Sequence, residues 1–253
     1  MSRVIAVTNQ KGGVGKTTTA VNLSACLAEA GFDVLLVDFD PQANATAGLG
    51  LRADGPQRTI YGVLAGAVSL AEATVTTAVE HLSLVPSSPD LAGAVVELAD
   101  ADASEHVLDF VLAGNVDQHD YVFIDCPPSL GVLTINALVA ARRVLIPVQA
   151  EYYALEGLAQ LLETIRLVQG LLNPDLDILG VVVTMYDGRT RLGREVASEV
   201  RQHLGQHVFE TRVPRNVRLS EAPSYGQPIS RYDPTCVGSD AYFDLAKEVV
   251  SRD

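Results

Sequence analysis

The feature that most constrains this 253-residue chain lies at its beginning. Four apolar residues, Val4-Ile5-Ala6-Val7, run into Asn9-Gln10-Lys11-Gly12-Gly13-Val14-Gly15-Lys16, and from Thr17 to Ala30 the positions Ala20, Leu23, Leu27 and Ala28 repeat at helical spacing. Strand, glycine loop and helix in that order leave few folds open. The glycines allow backbone N–H groups to turn inward, and the first turn of the helix aims its positive dipole end at the same point, so the segment Gly12 to Thr18, Val14 and Thr18 included, is an expected anion cradle. Where Gly-Lys-Thr opens a helix, Lys16 is expected to reach the β and γ phosphates of a nucleotide and the Thr17 hydroxyl to ligate Mg²⁺. The common form of this loop has glycine at position 10, where Gln10 stands here.

The rest of the chain fits the same reading. Buried-type strands are expected at Val34–Val37, Leu82–Val85, Tyr121–Ile124, Val144–Val148 and Ile178–Val183, with helix-length segments such as 155–172 and 192–204 between them. Continuous rather than alternating apolar strands, separated by helices, predict an α/β fold, a doubly wound and mainly parallel sheet flanked by helices, with ligands at the carboxyl ends of the strands. The least regular stretch runs from Gly50 to Gly66 and a polar interruption from Asp100 to Ser104. Neither is long enough to be a linker, so one domain over residues 1–253 is expected.

Carboxylates fall where such a sheet would need them. Asp125 follows an apolar strand and precedes Cys126-Pro127-Pro128-Ser129, a placement suited to holding Mg²⁺ directly or through water. Asp38 and Asp40, two residues apart at the end of the second strand, are expected on one side of the pleat, where one of them can orient water. Structural capping is the competing role for both.

Charge narrows the partners. The chain carries a net −13, which excludes a protein that coats nucleic acid with its whole surface. Yet between Arg189 and Arg231 eight arginines face four glutamates, so any nucleic-acid contact is local and late in the chain. Cys26, Cys126 and Cys236 are widely spaced, which suggests neither a disulfide framework nor a zinc site and fits reducing cytosol. No apolar run has the length of a membrane span, and with only Met1 and Ser2 ahead of the first strand neither a leader nor an N-terminal DNA-reading module is expected.

The sequence Lys11-Gly12-Gly13-Val14-Gly15-Lys16-Thr17-Thr18 resembles the deviant Walker A loop of the ParA/MinD family of ATPases, and the resemblance extends over essentially the whole chain. Asp38-Phe39-Asp40-Pro41-Gln42, Ile124 to Leu130, Glu151 to Gly157 and Val213 to Ser224 are similar to the chromosomal, Soj-type partitioning branch. The resemblance implies a P-loop ATPase with ATP and Mg²⁺ as ligands, in which Lys11 reaches across a homodimer to the other subunit's nucleotide. It also implies that Asp40 positions the attacking water while Asp38 supports the metal shell, and that the Pro214 backbone and the Asn216 amide contact adenine. Arg189 and Arg218 match family segments that bind double-stranded DNA without sequence preference, with Arg191, Arg194 and Arg215 as lesser candidates. A ParB-type partner, a cytoplasmic nucleoid-associated location and chromosome or plasmid segregation follow from the same resemblance.

Three rivals remain open from sequence. A MinD-like membrane cycler would need a basic amphipathic helix near the C-terminus, whereas 239–250 carries Asp240, Asp244 and Glu248 against Lys247, with Tyr242, Phe243, Leu245, Ala246 and Val249 read as core contacts. An iron–sulfur ATPase would need two cysteine thiolates from each subunit, and Cys126 directly follows Asp125 with no cysteine between it and Cys26. A metabolic P-loop ligase is the third.

Overall fold

The computed structural model describes residues 2–53, 55–99, 104–151 and 154–252. Eight strands form one sheet: β1 (Arg3–Val7), β2 (Val34–Asp38), β3 (Val75–Thr76), β4 (Leu82–Val85), β5 (Tyr121–Asp125), β6 (Arg143–Gln149), β7 (Asp177–Tyr186) and β8 (Val208–Pro214), in the spatial order β3-β4-β2-β5-β1-β6-β7-β8. All neighbours are parallel except β3 on β4. The helices are α1 (Lys16–Glu29), α2 (Asn44–Gly48), α3 (Ile60–Leu64), α4 (Leu70–Ala73), α5 (Leu91–Ala99), α6 (Val107–Leu112), α7 (Val132–Ala140), α8 (Ala154–Leu171), α9 (Arg191–Leu204), α10 (Val217–Glu221), α11 (Ile229–Tyr232) and α12 (Val237–Arg252).

The sheet divides two cores, and the period of two along each strand decides which residue enters which. Val4 and Ala6 of β1 and Val122 and Ile124 of β5 join the core beneath α6, α7, α8 and α9. Their alternates Ile5, Val7, Tyr121 and Phe123 join the core of α1 and α12. Both faces are therefore covered, which is why β2 and β5 are buried at every position and read as unbroken apolar runs. In α12, Tyr242, Leu245, Ala246 and Val249 are buried in the core and Phe243 packs against it, as the sequence pattern predicts.

Two strands escape that pattern. β8 reads Val-Phe-Glu-Thr-Arg-Val-Pro at the outer edge of the sheet, where the charged Glu210 and Arg212 meet solvent, so no continuous apolar run marks it. β3 has two residues, too few for any period to show. The irregular stretch after Gly50 contains a helical turn at Pro56–Arg58 and then α3. The predicted polar interruption falls largely on 100–103, outside the described residues, as do Tyr152 and Tyr153.

Candidate functional site

Because β1, β2, β5, β6, β7 and β8 are parallel, their carboxyl ends share one edge, and the expected site residues lie in the connections that leave it. The glycine loop is shaped by its own backbone and by two neighbouring strands. Gly13 (φ 75°) and Gly15 (φ 85°) adopt the left-handed conformation that other residues resist. The Asn9 side chain donates to the Pro147 carbonyl of β6 (2.7 Å) and accepts from the Lys11 amide (3.0 Å), while the Thr184 hydroxyl of β7 donates to the Val14 carbonyl (2.8 Å). Lys16, 7% exposed, folds its ammonium back to the Lys11 carbonyl at 3.0 Å. Burial pushes its pKa down, against the opposing pull of Asp125.

Three carboxylates converge beside Lys16. Asp38 and Asp125 are register partners on β2 and β5, and both are fully buried. The pleat does not bring Asp38 and Asp40 together, because β2 stops at Asp38 and Asp40 lies in the turn beyond it. A local network does so instead. Asp38 accepts from the Asp40 amide (3.3 Å) and from the amide and hydroxyl of Thr46 (2.8 and 2.6 Å), and Asp40 accepts from the Gln42 amide (3.0 Å). Asp38 thus anchors α2 to the strand end, the structural role that competes with metal support for this residue. Burial raises its pKa to about 6 despite those bonds, with Asp40 adding to the shift.

Asp125 stands differently. Both of its carboxylate oxygens are buried with no hydrogen-bond partner of acceptable geometry. Burial, then the neighbouring Asp38, drive its pKa well up, and the Thr17 hydroxyl and Lys16 are the groups that favour its charged form. An uncompensated carboxylate of this kind is costly unless a cation is shared with it, and a hydroxyl and two acidic side chains are hard oxygen donors of the type Mg²⁺ takes. The residues present therefore fit a magnesium ion bound by Thr17 and Asp125, with Asp38 and Asp40 close by.

A cavity of about 460 Å³ opens over the loop, lined by Gly12, Gly13, Gly15, Lys16, Thr17 and Thr18 on one side and by Asp40, Asn44, Pro128, Met185 and Pro223 on the others. A second, of about 300 Å³, shares Gly15, Thr18, Met185 and Pro223 with it and is bounded by Pro214 and Asn216. Asn216 has a local duty as well: its side-chain oxygen accepts from the Arg218 amide (2.8 Å) and caps α10, leaving its amide nitrogen as the group free of that bond. Met185 has φ 50°, an uncommon backbone state for such a residue, at the point where both cavities meet.

Lys11 does not point into the cavity over its own loop. Its ammonium lies 3.2 Å from Glu151, which also accepts from Gln149 (2.6 Å) and stands 4.0 Å from Arg215. Glu151 belongs to a segment that carried the family resemblance, but nothing in sequence pairs it with Lys11. Gly12 is exposed, and a Cβ there would meet only Pro128 at an ordinary 3.8 Å. Arg189 lies in the turn that leaves β7 and Arg218 on α10, which follows β8, on the same edge as the glycine loop. Each is ion-paired within the chain, Arg189 in a two-pronged contact with Asp187 (2.9 and 2.8 Å) and Arg218 with Glu221 (2.9 Å) and Asp233 (3.4 Å). The Arg189 contact draws the Asp187 pKa down to about 2.

Comparison with known proteins decides the lineage. A family model described as an AAA domain matches residues 2–178. The sporulation initiation inhibitor protein Soj of Bacillus subtilis (strain 168) is 54% identical over 252 residues, covering 100% of both chains, and the chromosome-partitioning ATPase Soj of Treponema pallidum (strain Nichols) is 53% identical over 253 residues, covering 100% and 99%. The chain belongs to the Soj/ParA family of chromosome-partitioning ATPases. Among solved structures, a cobyrinic acid a,c-diamide synthase from Mycobacterium smegmatis with bound ADP and magnesium superposes with a TM-score of 0.85 at 40% identity, covering 98% of this chain and 93% of that one. Membership of the family makes the chain an ATPase. No helix among the described residues is long and apolar enough to cross a membrane.

Proposed function

We propose that this protein is a single-domain partitioning ATPase whose Mg-ATP state dimerises, binds DNA without sequence preference and is released by hydrolysis. The observation that carries the reading is the orphaned Asp125 carboxylate facing the cradle of Lys16 and Thr17. In this reading Gly12 to Thr18 hold the phosphates and Lys16 exchanges the Lys11 carbonyl for the β and γ phosphate oxygens, a stronger, charge-assisted bond. Thr17, Asp125 and the nearby Asp38 would hold Mg²⁺, which neutralises phosphate charge when bound. Asp40, fixed by the Gln42 amide and lining the cavity, orients the attacking water. The Pro214 backbone and the Asn216 amide contact adenine in the adjoining cavity.

Dimerisation sends Lys11 across the interface to the partner's nucleotide. To do so it leaves Glu151, an exchange favoured because a half-exposed ion pair is weak in water. Arg189 and Arg218 then neutralise DNA phosphates, each exchanging an exposed intramolecular carboxylate for one. A ParB-type partner accelerates an otherwise slow hydrolysis, and the protein cycles between cytoplasm and nucleoid to segregate a chromosome or plasmid. The similarity to a structure titled as a diamide synthase supports a second reading, in which cobyrinic acid stimulates ATP turnover.

Fluorescence anisotropy of a random-sequence duplex separates these. Asp40→Ala protein should bind in Mg-ATP but not in Mg-ADP or without nucleotide, and binding should weaken steeply with salt. Absence of binding in all three states, with turnover raised by cobyrinic acid, would replace the partition reading with the second one.

A further inference from the structure

The outer edge of the sheet carries a second basic feature that lies beyond Arg189 and Arg218. A concave groove of about 710 Å³ runs between α9 and β8, and Arg194, Arg201 and Arg212 line it together with Tyr186, Gln202 and Glu210. Three arginines against one glutamate make it a positive strip on a chain of net charge −13.

Each arginine is held rather than loose. Arg194 donates to the carbonyls of Gly188 (2.7 Å) and Arg189 (3.3 Å), which joins the upper end of the groove to the Arg189 loop. The Arg212 guanidinium lies over the Tyr186 ring at 4.8 Å and donates to its hydroxyl at 3.0 Å. Arg201 pairs with Glu210 across the groove. Arg194 and Arg201 are seven residues apart on α9, hence on one face and separated by about 10.5 Å along its axis. Three phosphate steps of one DNA strand span about 10 Å of duplex axis, so both arginines can meet the same backbone.

We propose that this groove is a phosphate-contact strip that carries the DNA backbone from the Arg189 loop down the edge of the sheet, with Arg201 and Arg212 as contacts and Glu210 as the carboxylate that DNA displaces. The proposal rests on the DNA-binding reading above. A duplex backbone is favoured over an anionic membrane because the groove is lined mainly by arginines and polar side chains, whereas a membrane contact needs an apolar face set into the lipid. Glu210 is exposed, so its pair with Arg201 is readily exchanged for a phosphate.

The test is a salt series of duplex anisotropy on the full chain with Mg²⁺ and a non-hydrolysable ATP analogue. Arg201→Ala and Arg212→Ala should each flatten the slope of log K against log salt by about 0.9 for each protomer on the duplex, hence about 1.8 for the dimer, and the double variant by about twice that. Arg201→Lys should keep the wild-type slope. Glu210→Gln should tighten binding at least twofold, and more than Asp117→Asn, an equal charge change on an exposed residue ahead of the central strand β5. Melting curves identify any variant that fails to fold, and for those the Glu210→Gln and Arg201→Lys arms decide. Folded variants with unchanged slopes overturn the groove while leaving the DNA reading intact. No binding by the wild-type chain overturns the reading beneath it, and arginine-dependent binding to phosphatidylserine vesicles without DNA binding overturns the choice of partner.

Discussion

Lys16 and Arg189 stand on the same edge of one sheet, yet Lys16 is 7% exposed while the Arg189 side chain is 91% exposed. Around Lys16 the charges are sunk among strand ends, shaped by left-handed glycines and by bonds from β6 and β7, and the buried Asp125 carboxylate has only the Thr17 hydroxyl and Lys16 to favour its charged form. Around Arg189 and Arg218 the charges are in water and already satisfied by their neighbours. The first region is built before its ligand arrives and bears an electrostatic cost that the ligand relieves. The second costs the fold little and binds by exchanging one carboxylate for another anion. A buried site suits geometry-sensitive hydrolysis, and an exposed one suits reversible, sequence-independent grip.

Substitutions on either side test how real the contrast is. The largest effect is expected from Asp40→Ala, which should retain nucleotide and lower turnover by roughly 10²-fold or more, the usual weight of a group that positions or deprotonates a nucleophile. Steady-state phosphate release measures it, and a wild-type rate would remove Asp40 from the water-positioning role. Next comes Lys16→Ala, which should weaken ATP in calorimetry by about 10- to 100-fold, since a buried charge-assisted bond is lost. Retained affinity would show that the backbone cradle alone holds the phosphates. Arg218→Glu should reduce duplex affinity by about tenfold at low salt and much less at high salt, because an exposed charge is screened. Salt-independent loss would instead mean that the region is built like the buried one.

The smallest effect is a thermal one. Asp125→Asn removes a buried, uncompensated charge, so the nucleotide-free protein should gain several degrees in Tm while losing the further gain that Mg-ATP gives the wild type. The pH dependence has a definite sign. Asp38 binds its proton more tightly folded, with a pKa of about 6, than in the unfolded chain, so its contribution to stability is full below about pH 4 and is lost as pH rises through 6. Asp125 shifts in the same direction. Melting curves between pH 5 and 7 without nucleotide should therefore fall in the wild type and fall less steeply in Asp125→Asn, where the Asp38 contribution remains; an unchanged slope would place the cost elsewhere.

The amino-acid sequence by itself determined the strand-loop-helix at the start, the six buried strands, the long helices and the placement of Asp125, because each depends on local spacing: glycine where φ must be positive, apolar runs where both sheet faces are covered, a carboxylate where a strand ends. It also contained the residues that link this chain to partitioning ATPases. Tertiary structure alone decided the rest. β8 is invisible as a run because an edge strand alternates charge with burial, and the groove it forms with α9 exists only once two elements meet. Lys11 and Glu151 are 140 positions apart, and Asp38 serves Thr46 through a turn that ends the strand earlier than its pattern suggests. Side-chain partnerships between distant segments are set by packing, and no local period records them.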